Sequence, residues 1–224
     1  MKLYYHPVST TSRPIMLFAA ESGIALDFEL VDLFKGEHLG EAYCRINPNG
    51  QVPVLEDGDF RLTEGATILR YLADAIESPA YPKDRKKRAR VNEMMDWFNT
   101  GLYRDLGYGL VYPQIFPHLK RADEKIQSAT IAWGRDRSRK WLKILEENLL
   151  GRRPFLCGDG ITLADYLGSA YLTVGEVIRI DYTPWPNVKR WLDGMKARPH
   201  WRPVNEAFYM HLVAPYAGAA FEAL

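Results

Sequence analysis

Only two cysteines occur in the 224 residues, Cys44 and Cys157, far apart and without metal-ligand spacing. That scarcity excludes a disulfide framework and a cysteine-built metal site, and it fits buried free thiols in a reducing compartment. Long apolar runs are missing too, so no stretch approaches the length of a membrane span. The opening "MKLYYHPVSTTSRPIM" has a lysine but no long apolar segment, and it does not read as a secretory signal. Charge of one sign is not in excess: 29 Lys and Arg face 28 Asp and Glu, for a net charge of +1. No overall field therefore points to nucleic acid or an anionic membrane. Internal repeats and low-complexity segments are also absent. The expectation is a soluble, cytoplasmic protein.

What is present is ordinary globular material, 47% hydrophobic and 25% charged, enough for one large core or two small ones. The one dense basic run, "KDRKKRAR" at 83–90, leads into a helical pattern and reads as a solvated helix face. "KLYYH" predicts a short strand, 13–22 a helix ended by Gly23, and "DFELVDL" (27–33) a second strand with alternating apolar residues. Together these make a βαβ unit with parallel strands. A short helix over 38–46 stops at "NPNG", and "VPVLEDGDFRL" reads as a hairpin turning at Asp57–Gly58. Residues 63–76 return to helical spacing, with Ile68, Leu69, Leu72 and Ile76 on one face.

The composition then changes. "ESPAYPKD" (77–84) is a proline-rich polar connector, and no convincing strand follows it. Helical patterns cover roughly 85–117, 121–149, 162–178, 187–197 and 201–210. The chain divides on this reading into an α/β domain over 1–77, a linker over 78–86 and an all-helical domain over 87–224. Thr162 followed by Asp165 forms a capping box ahead of a long apolar helix, a folding device worth about 1 kcal/mol or more.

Residues 50–74, "GQVPVLEDGDFRLTEGATILRYLAD", concentrate unusual features. Pro53 interrupts an apolar run, where a missing N–H is costly in a central strand. A cis X–Pro bond that frees the backbone of Val52 and a trans proline on an edge strand both satisfy the local sequence. Farther on, a helix opens on Glu64–Gly65. Its bare N–H groups suit an anion and the glutamate suits an amine, so the pair asks for a ligand carrying both charges.

The order of these motifs resembles the glutathione S-transferase family. A βαβ unit is followed by "NPNGQVPVLEDG" and then by "EGATILRYLAD", as in that family's thioredoxin-like domain, and "FLCGDGITLADYLGSAYL" is similar to its helical domain. Within the family, "YYHPVSTTSRPI", "GEHL" (36–39), "YPKDRKKRARVN" and "YPQIF" (112–116) look most like the serine-type delta and theta classes. The resemblance covers nearly the whole chain. It implies a thioredoxin-like βαβαββα domain with a cis proline at 53, followed by an all-α domain. It also implies a dimeric cytosolic enzyme that binds reduced glutathione, uses no metal, and directs the thiolate at a hydrophobic electrophile. Glutathione-dependent isomerisation or dehalogenation on the same scaffold, and a non-catalytic partner-docking member, are the alternatives.

Residue by residue, the resemblance implies that Ser9 donates its hydroxyl to the thiolate near the positive end of the first helix. Serine is also a common turn and cap residue. Thr10, Thr11 and Ser12 offer rival hydroxyls, and Tyr5 another, though Tyr5 reads more readily as a half-buried strand aromatic. Val52 is implied to pair by backbone with the cysteinyl part of glutathione, next to Pro53. His38 and Gln51 are implied to hold the glycine carboxylate, with Lys35 a weaker candidate and a plain surface histidine the competing reading of His38. Glu64 is implied to take the γ-glutamyl amine and the Gly65 N–H its carboxylate.

Gly65 departs from the family pattern, which carries serine or threonine there, and Ala66 stands where delta-like relatives have arginine. Loss of the hydroxyl is expected to weaken glutathione binding, and Gly65→Ser to restore it. Tyr103, Arg104, Tyr108 and Tyr112 on the fourth helix, with Phe208 and Tyr209 from the tail, are implied to wall the second-substrate site between the domains. Aromatics at helical spacing are also the usual signature of plain core, and Arg104, which could pair with an acidic group on the substrate, reads equally as a salt bridge within its helix.

Overall fold

A computed structural model describes residues 1–224. The N-terminal part holds a four-stranded sheet in the order β2-β1-β3-β4, made of Lys2–Tyr5, Asp27–Leu30, Val54–Asp57 and Phe60–Leu62 numbered β1 to β4 along the chain. Strand β2 runs parallel to β1 after the crossover helix α1 (Arg13–Ser22), whereas β3 and β4 are antiparallel additions. Helix α1 starts with Pro14 in its first turn and ends at Gly23, whose φ of 67° is the left-handed cap that glycine takes without strain. Helix α2 (Glu41–Cys44) is short, and helix α3 (Gly65–Ala75) packs Ile68, Leu69 and Leu72 fully into the core.

Four expectations are corrected here. Strand β2 has no buried face: all four residues are exposed, including Phe28 and Leu30, because it is the sheet edge and no helix covers it. The hairpin turns one residue later, at Gly58–Asp59, since Asp57 still pairs with Phe60. Ile76 lies past the end of α3 and is exposed. Cys44 and Cys157 are free but only half-buried.

The regular elements after residue 84 are all helical: α4 (Arg85–Trp97), α5 (Tyr112–Ile115), α6 (Glu124–Ile144), α7 (Leu163–Thr173), α8 (Pro186–Lys196) and α9 (Trp201–Phe208), with 3-10 and wide helical turns and loops between them. Asp84 caps α4 by accepting from the N–H groups of Lys86 and Lys87. Between α4 and α5 the helix widens: the N–H of Tyr103 reaches Phe98 O and that of Tyr112 reaches Gly107 O, each five residues back. Such π turns concentrate at functional sites.

The connector at 77–84 is not a free linker. Ser78, Ala80 and Tyr81 are buried, and Ala80 O accepts from Leu163 N at the start of α7. Of the basic run, Arg88 turns back to Asp74 on α3 (2.8 Å) and stacks on Tyr81, while its neighbours face solvent. One contiguous cluster of buried hydrophobics runs from Leu3 to Leu212, so the α/β part and the helices share a core. Buried Arg13 fastens the two: its guanidinium donates to Thr173 Oγ1 (3.0 Å), Asn205 Oδ1 (2.7 Å) and Ala170 O (3.1 Å), and lies on the ring of Phe208. No helix is long and apolar enough to cross a membrane.

Candidate active site

The first turn after β1 is shaped by hydrogen bonds among its own residues. His6 Nδ1 accepts from the Val8 N–H (3.2 Å) and His6 O from the Ser9 N–H (2.9 Å). Ser9 then caps the run into α1: its Oγ accepts from Ser12 N (3.2 Å) and its carbonyl from Arg13 N (3.0 Å). The cap and donor readings of Ser9 are therefore compatible, because capping uses a lone pair and not the hydroxyl hydrogen.

The four hydroxyls of this turn are not equivalent. Ser12 is fully buried and its Oγ has no partner. Thr10 is buried against Tyr112, Oγ1 to Oη 3.0 Å. Only Ser9 and Thr11 are partly exposed, and their oxygens lie 3.1 Å apart. Tyr5 packs edge-on against Phe28 at the sheet edge, as a strand aromatic does.

Opposite this turn the Val52–Pro53 peptide bond is cis. The Val52 N–H makes no backbone hydrogen bond, and its carbonyl accepts from Thr11 Oγ1 at 3.1 Å. Thr11, Asn47, Asn49, Gln51, Val52 and Pro53 line a small polar cavity together with Thr63, Glu64 and Gly65. Asn47 stiffens its floor by donating to Gln51 O (2.7 Å). At about 50 Å³ the cavity has room for one polar end of a ligand, and the rest must lie across the open surface. A larger hollow lies on the outer face of α6, lined by Ile126, Ala129 and Trp133, and belongs to none of this chemistry.

Glu64 has φ 65° and ψ 107°, a conformation that costs a non-glycine residue about 1–3 kcal/mol. Its carboxylate is exposed, and the one arginine of the helix it caps, Arg70, is committed to Asp96. Gly65 is not a position that merely lacks a hydroxyl. A Cβ there would lie 2.8 Å from the carbonyl oxygen of Thr11, so the expectation that serine restores a missing ligand is overturned by the space.

His38 sits in a 3-10 turn (Glu37–Leu39) whose carbonyl approaches Gly50, beside Gln51, and its Nδ1 is buried without a partner. Gly50 has φ 59°, a backbone conformation that favours glycine, and a Cβ there would lie 3.2 Å from His38 O. Lys35 is exposed and pairs with Asp32 at 2.9 Å.

On the helical side the tyrosines converge. Tyr112 Oη meets Tyr103 Oη at 2.8 Å, Tyr103 stacks on Tyr171 with ring centres 4.1 Å apart, and half-exposed Tyr108 packs edge-on against both Tyr103 and Tyr112. Burial pushes the Tyr112 phenol up to about 12 and raises that of Tyr103 well above its ordinary value, so both stay protonated. Gly107 makes room for this cluster, since a Cβ there would lie 3.0 Å from the Tyr103 ring.

Two members expected in this wall are elsewhere. Arg104 binds Asp105, whose other partners are Arg137 and Trp141 Nε1 on α6. Phe208 is buried beneath the Arg13 guanidinium as core. Conversely, Asn47, Asn49 and Thr63 line the cavity although nothing in the local sequence points to a ligand contact there, "NPNG" reading only as a turn, and Thr11, a rival hydroxyl to Ser9, lines it beside them.

The sheet order, the cis proline facing a helix start and the helical half define a thioredoxin-like transferase architecture. Residues 1–74 match the family description "Glutathione S-transferase, N-terminal domain", and residues 111–199 match "Glutathione S-transferase, C-terminal domain". The chain belongs to the glutathione S-transferase family. It is 37% identical to human glutathione S-transferase theta-2B over 75% of this chain and 68% of that one, and 36% identical to human theta-1 over 74% and 69%. Among solved structures, a delta-class glutathione transferase of Nilaparvata lugens superposes with TM-score 0.81 at 30% identity, covering 96% of this chain and 98% of the other. Human theta-2, solved in complex with glutathione and an unknown ligand, gives 0.83 at 27% identity over 100% and 93%.

Proposed function

We propose that this chain binds reduced glutathione across the cis-proline loop and uses Ser9 to hold its sulfur as a thiolate for attack on a hydrophobic electrophile. The γ-glutamyl amine goes to the Glu64 carboxylate and its carboxylate to the Gly65 N–H. The cysteinyl backbone pairs with Val52 beside Pro53, and the glycine carboxylate reaches His38 and Gln51. Tyr108, backed by Tyr103 and Tyr112, forms the wall against which the electrophile lies. Residues 1–77 serve as the glutathione-binding domain, 78–86 as the connector and 87–224 as the domain of the second substrate. No step calls for a metal. The working form is a homodimer in the cytoplasm, with no nucleic-acid or membrane partner.

The observation that carries this reading is the placement of Ser9. Its oxygen is pinned by the Ser12 N–H at the start of α1, beside the Val52–Pro53 loop and the Glu64–Gly65 cavity. A thiol on a ligand paired with Val52 falls within reach of that hydroxyl and of the positive helix end. Lowering its pKa by about two units requires ~2.7 kcal/mol of differential stabilisation, within the range of one charged hydrogen bond and a helix terminus. The thiolate then attacks the electrophilic carbon; a C–S bond forms, and either a leaving group departs or the adduct is protonated. Ser9→Ala should lower kcat by about tenfold or more and raise the apparent pKa of bound glutathione, with KM for glutathione little changed. A variant with an unaltered pH profile would remove Ser9 from the role.

A further inference from the structure

We propose that Thr11 is a positioning residue for this chemistry: its hydroxyl sets the direction of the Ser9 hydrogen according to whether the Val52 carbonyl is taken by a ligand. The inference rests on the reading of Ser9 as thiolate donor and adds a residue to it. Three short contacts make a chain. Ser12 N donates to Ser9 Oγ (3.2 Å), Ser9 Oγ and Thr11 Oγ1 are 3.1 Å apart, and Thr11 Oγ1 donates to Val52 O at 3.1 Å. A hydroxyl has a single hydrogen. With the Thr11 hydrogen on Val52 O, the hydrogen between the two hydroxyls belongs to Ser9 and points at Thr11.

A peptide N–H pairing with Val52 in strand fashion puts a second donor on the Val52 carbonyl, whose two lone pairs then serve both, and so weakens its hold on the Thr11 hydrogen. The Thr11 hydroxyl then turns its hydrogen to Ser9 Oγ, and the Ser9 hydrogen is released toward the sulfur. No proton leaves either oxygen; only the direction of the chain reverses. In the reversed chain Ser9 accepts from both Thr11 and Ser12 N–H, which strengthens it as a donor.

Gly65 belongs to the same device. The carbonyl oxygen of Thr11 occupies the place where a side chain at 65 would begin, 2.8 Å from its Cβ, so the glycine is what lets this turn lie against the start of α3. The same turn lines the cavity with Glu64 and Val52, so the threonine is placed between the ligand's backbone partner and the thiolate donor.

Thr11→Val, Thr11→Ser and Ser9→Ala are compared with wild type by titrating glutathione bound to the enzyme and following the ultraviolet absorbance of its thiolate. Thr11→Val is expected to leave about threefold to tenfold less thiolate at neutral pH, the range of one neutral hydrogen bond. Its affinity for glutathione should be unchanged or slightly tighter, and Thr11→Ser should titrate as wild type. A purely structural role would lower the melting temperature without moving the titration. Thr11→Ala carries the same test should valine fail to fold. An unshifted titration in the hydroxyl-less variant alongside a shifted one in Ser9→Ala overturns the role of Thr11 and leaves Ser9 standing. An unshifted Ser9→Ala overturns the underlying reading instead.

Discussion

At position 65 the residue type is set by a contact 54 positions away in the chain. The Thr11 carbonyl leaves no room for a Cβ, so Gly65→Ser must push the turn at 9–12 off α3. The expected cost is that of overpacking, about 1–3 kcal/mol, together with weaker glutathione binding as Ser9 and Val52 lose their spacing. Thermal unfolding and calorimetric titration of the variant would check both, and tighter binding would contradict the steric account. His6 allows a pH prediction at the same scale. Burial lowers its pKa below the ordinary value near 6.5, and its Nδ1 accepts the Val8 N–H, which requires the neutral ring. The unfolded chain therefore binds the proton more readily than the folded one. Stability from this residue is fully present above pH ~6.5 and is lost as the pH falls from there toward the lower folded pKa. Melting temperature should drop across that window, and His6→Asn should flatten the drop.

Among the elements, α7 shows how a local signal becomes a tertiary joint. The Asp165 side chain accepts from Thr162 N (2.8 Å) and Thr162 Oγ1 as the capping pattern implies. It also accepts from Leu156 N and Trp191 Nε1 (2.9 Å each), tying the preceding loop and α8 to the same carboxylate. Asp165→Ala strands several buried donors at about 1–3 kcal/mol each, so a loss of about 3 kcal/mol or more is expected in urea unfolding, well beyond an ordinary cap. The helix between α4 and α5 shows the reverse. Its glycines have packing causes: a Cβ on Gly134 of α6 would overlap the Gly109 carbonyl, and one on Gly101 would meet the Trp141 ring at 3.1 Å. Backbone approach here places the Tyr103–Tyr108–Tyr112 cluster against Thr10, one residue from Ser9.

For the molecule as a whole, the two halves are joined by a shared core and by Arg13, whose buried guanidinium has amide, hydroxyl and carbonyl partners and no carboxylate. Burial lowers its pKa to about 10, still charged at neutral pH. The joint holds the Ser9 turn against the helical half, which the proposed electrophile site between the two would need. Outward-facing Trp133 and Ile126 on α6 and Phe60 on the β3–β4 hairpin are large apolar side chains left in solvent by one chain. A homodimer burying such surface is expected, with a sedimenting species near twice the 25.7 kDa chain at micromolar concentration. A monomer under those conditions would contradict it.

The sequence by itself determined what depends on near neighbours. The βαβ start, the two hairpin strands and the helices at 85–117 and 162–178 were legible because side-chain periodicity and caps act within a few residues. The motif order around Pro53 and Glu64 implied a glutathione-binding loop only through its resemblance to the family, since the local residues ask for a ligand of two charges without naming it. Which partner each face meets was decided only in three dimensions. The family resemblance implied Tyr103, Arg104 and Phe208 alike as parts of a pocket wall, but Arg104 pairs with its neighbour Asp105, which Arg137 and Trp141 of α6 also hold, and the packing of α9 on α1 buries Phe208 under Arg13. Strand β2 alternates as a half-buried strand should, yet no element covers it. The glycine at 65 looked like a lost ligand and is a close approach of Thr11. A local pattern states that a side chain is apolar or a backbone is bare; only the arrival of a distant segment decides what fills the space beside it.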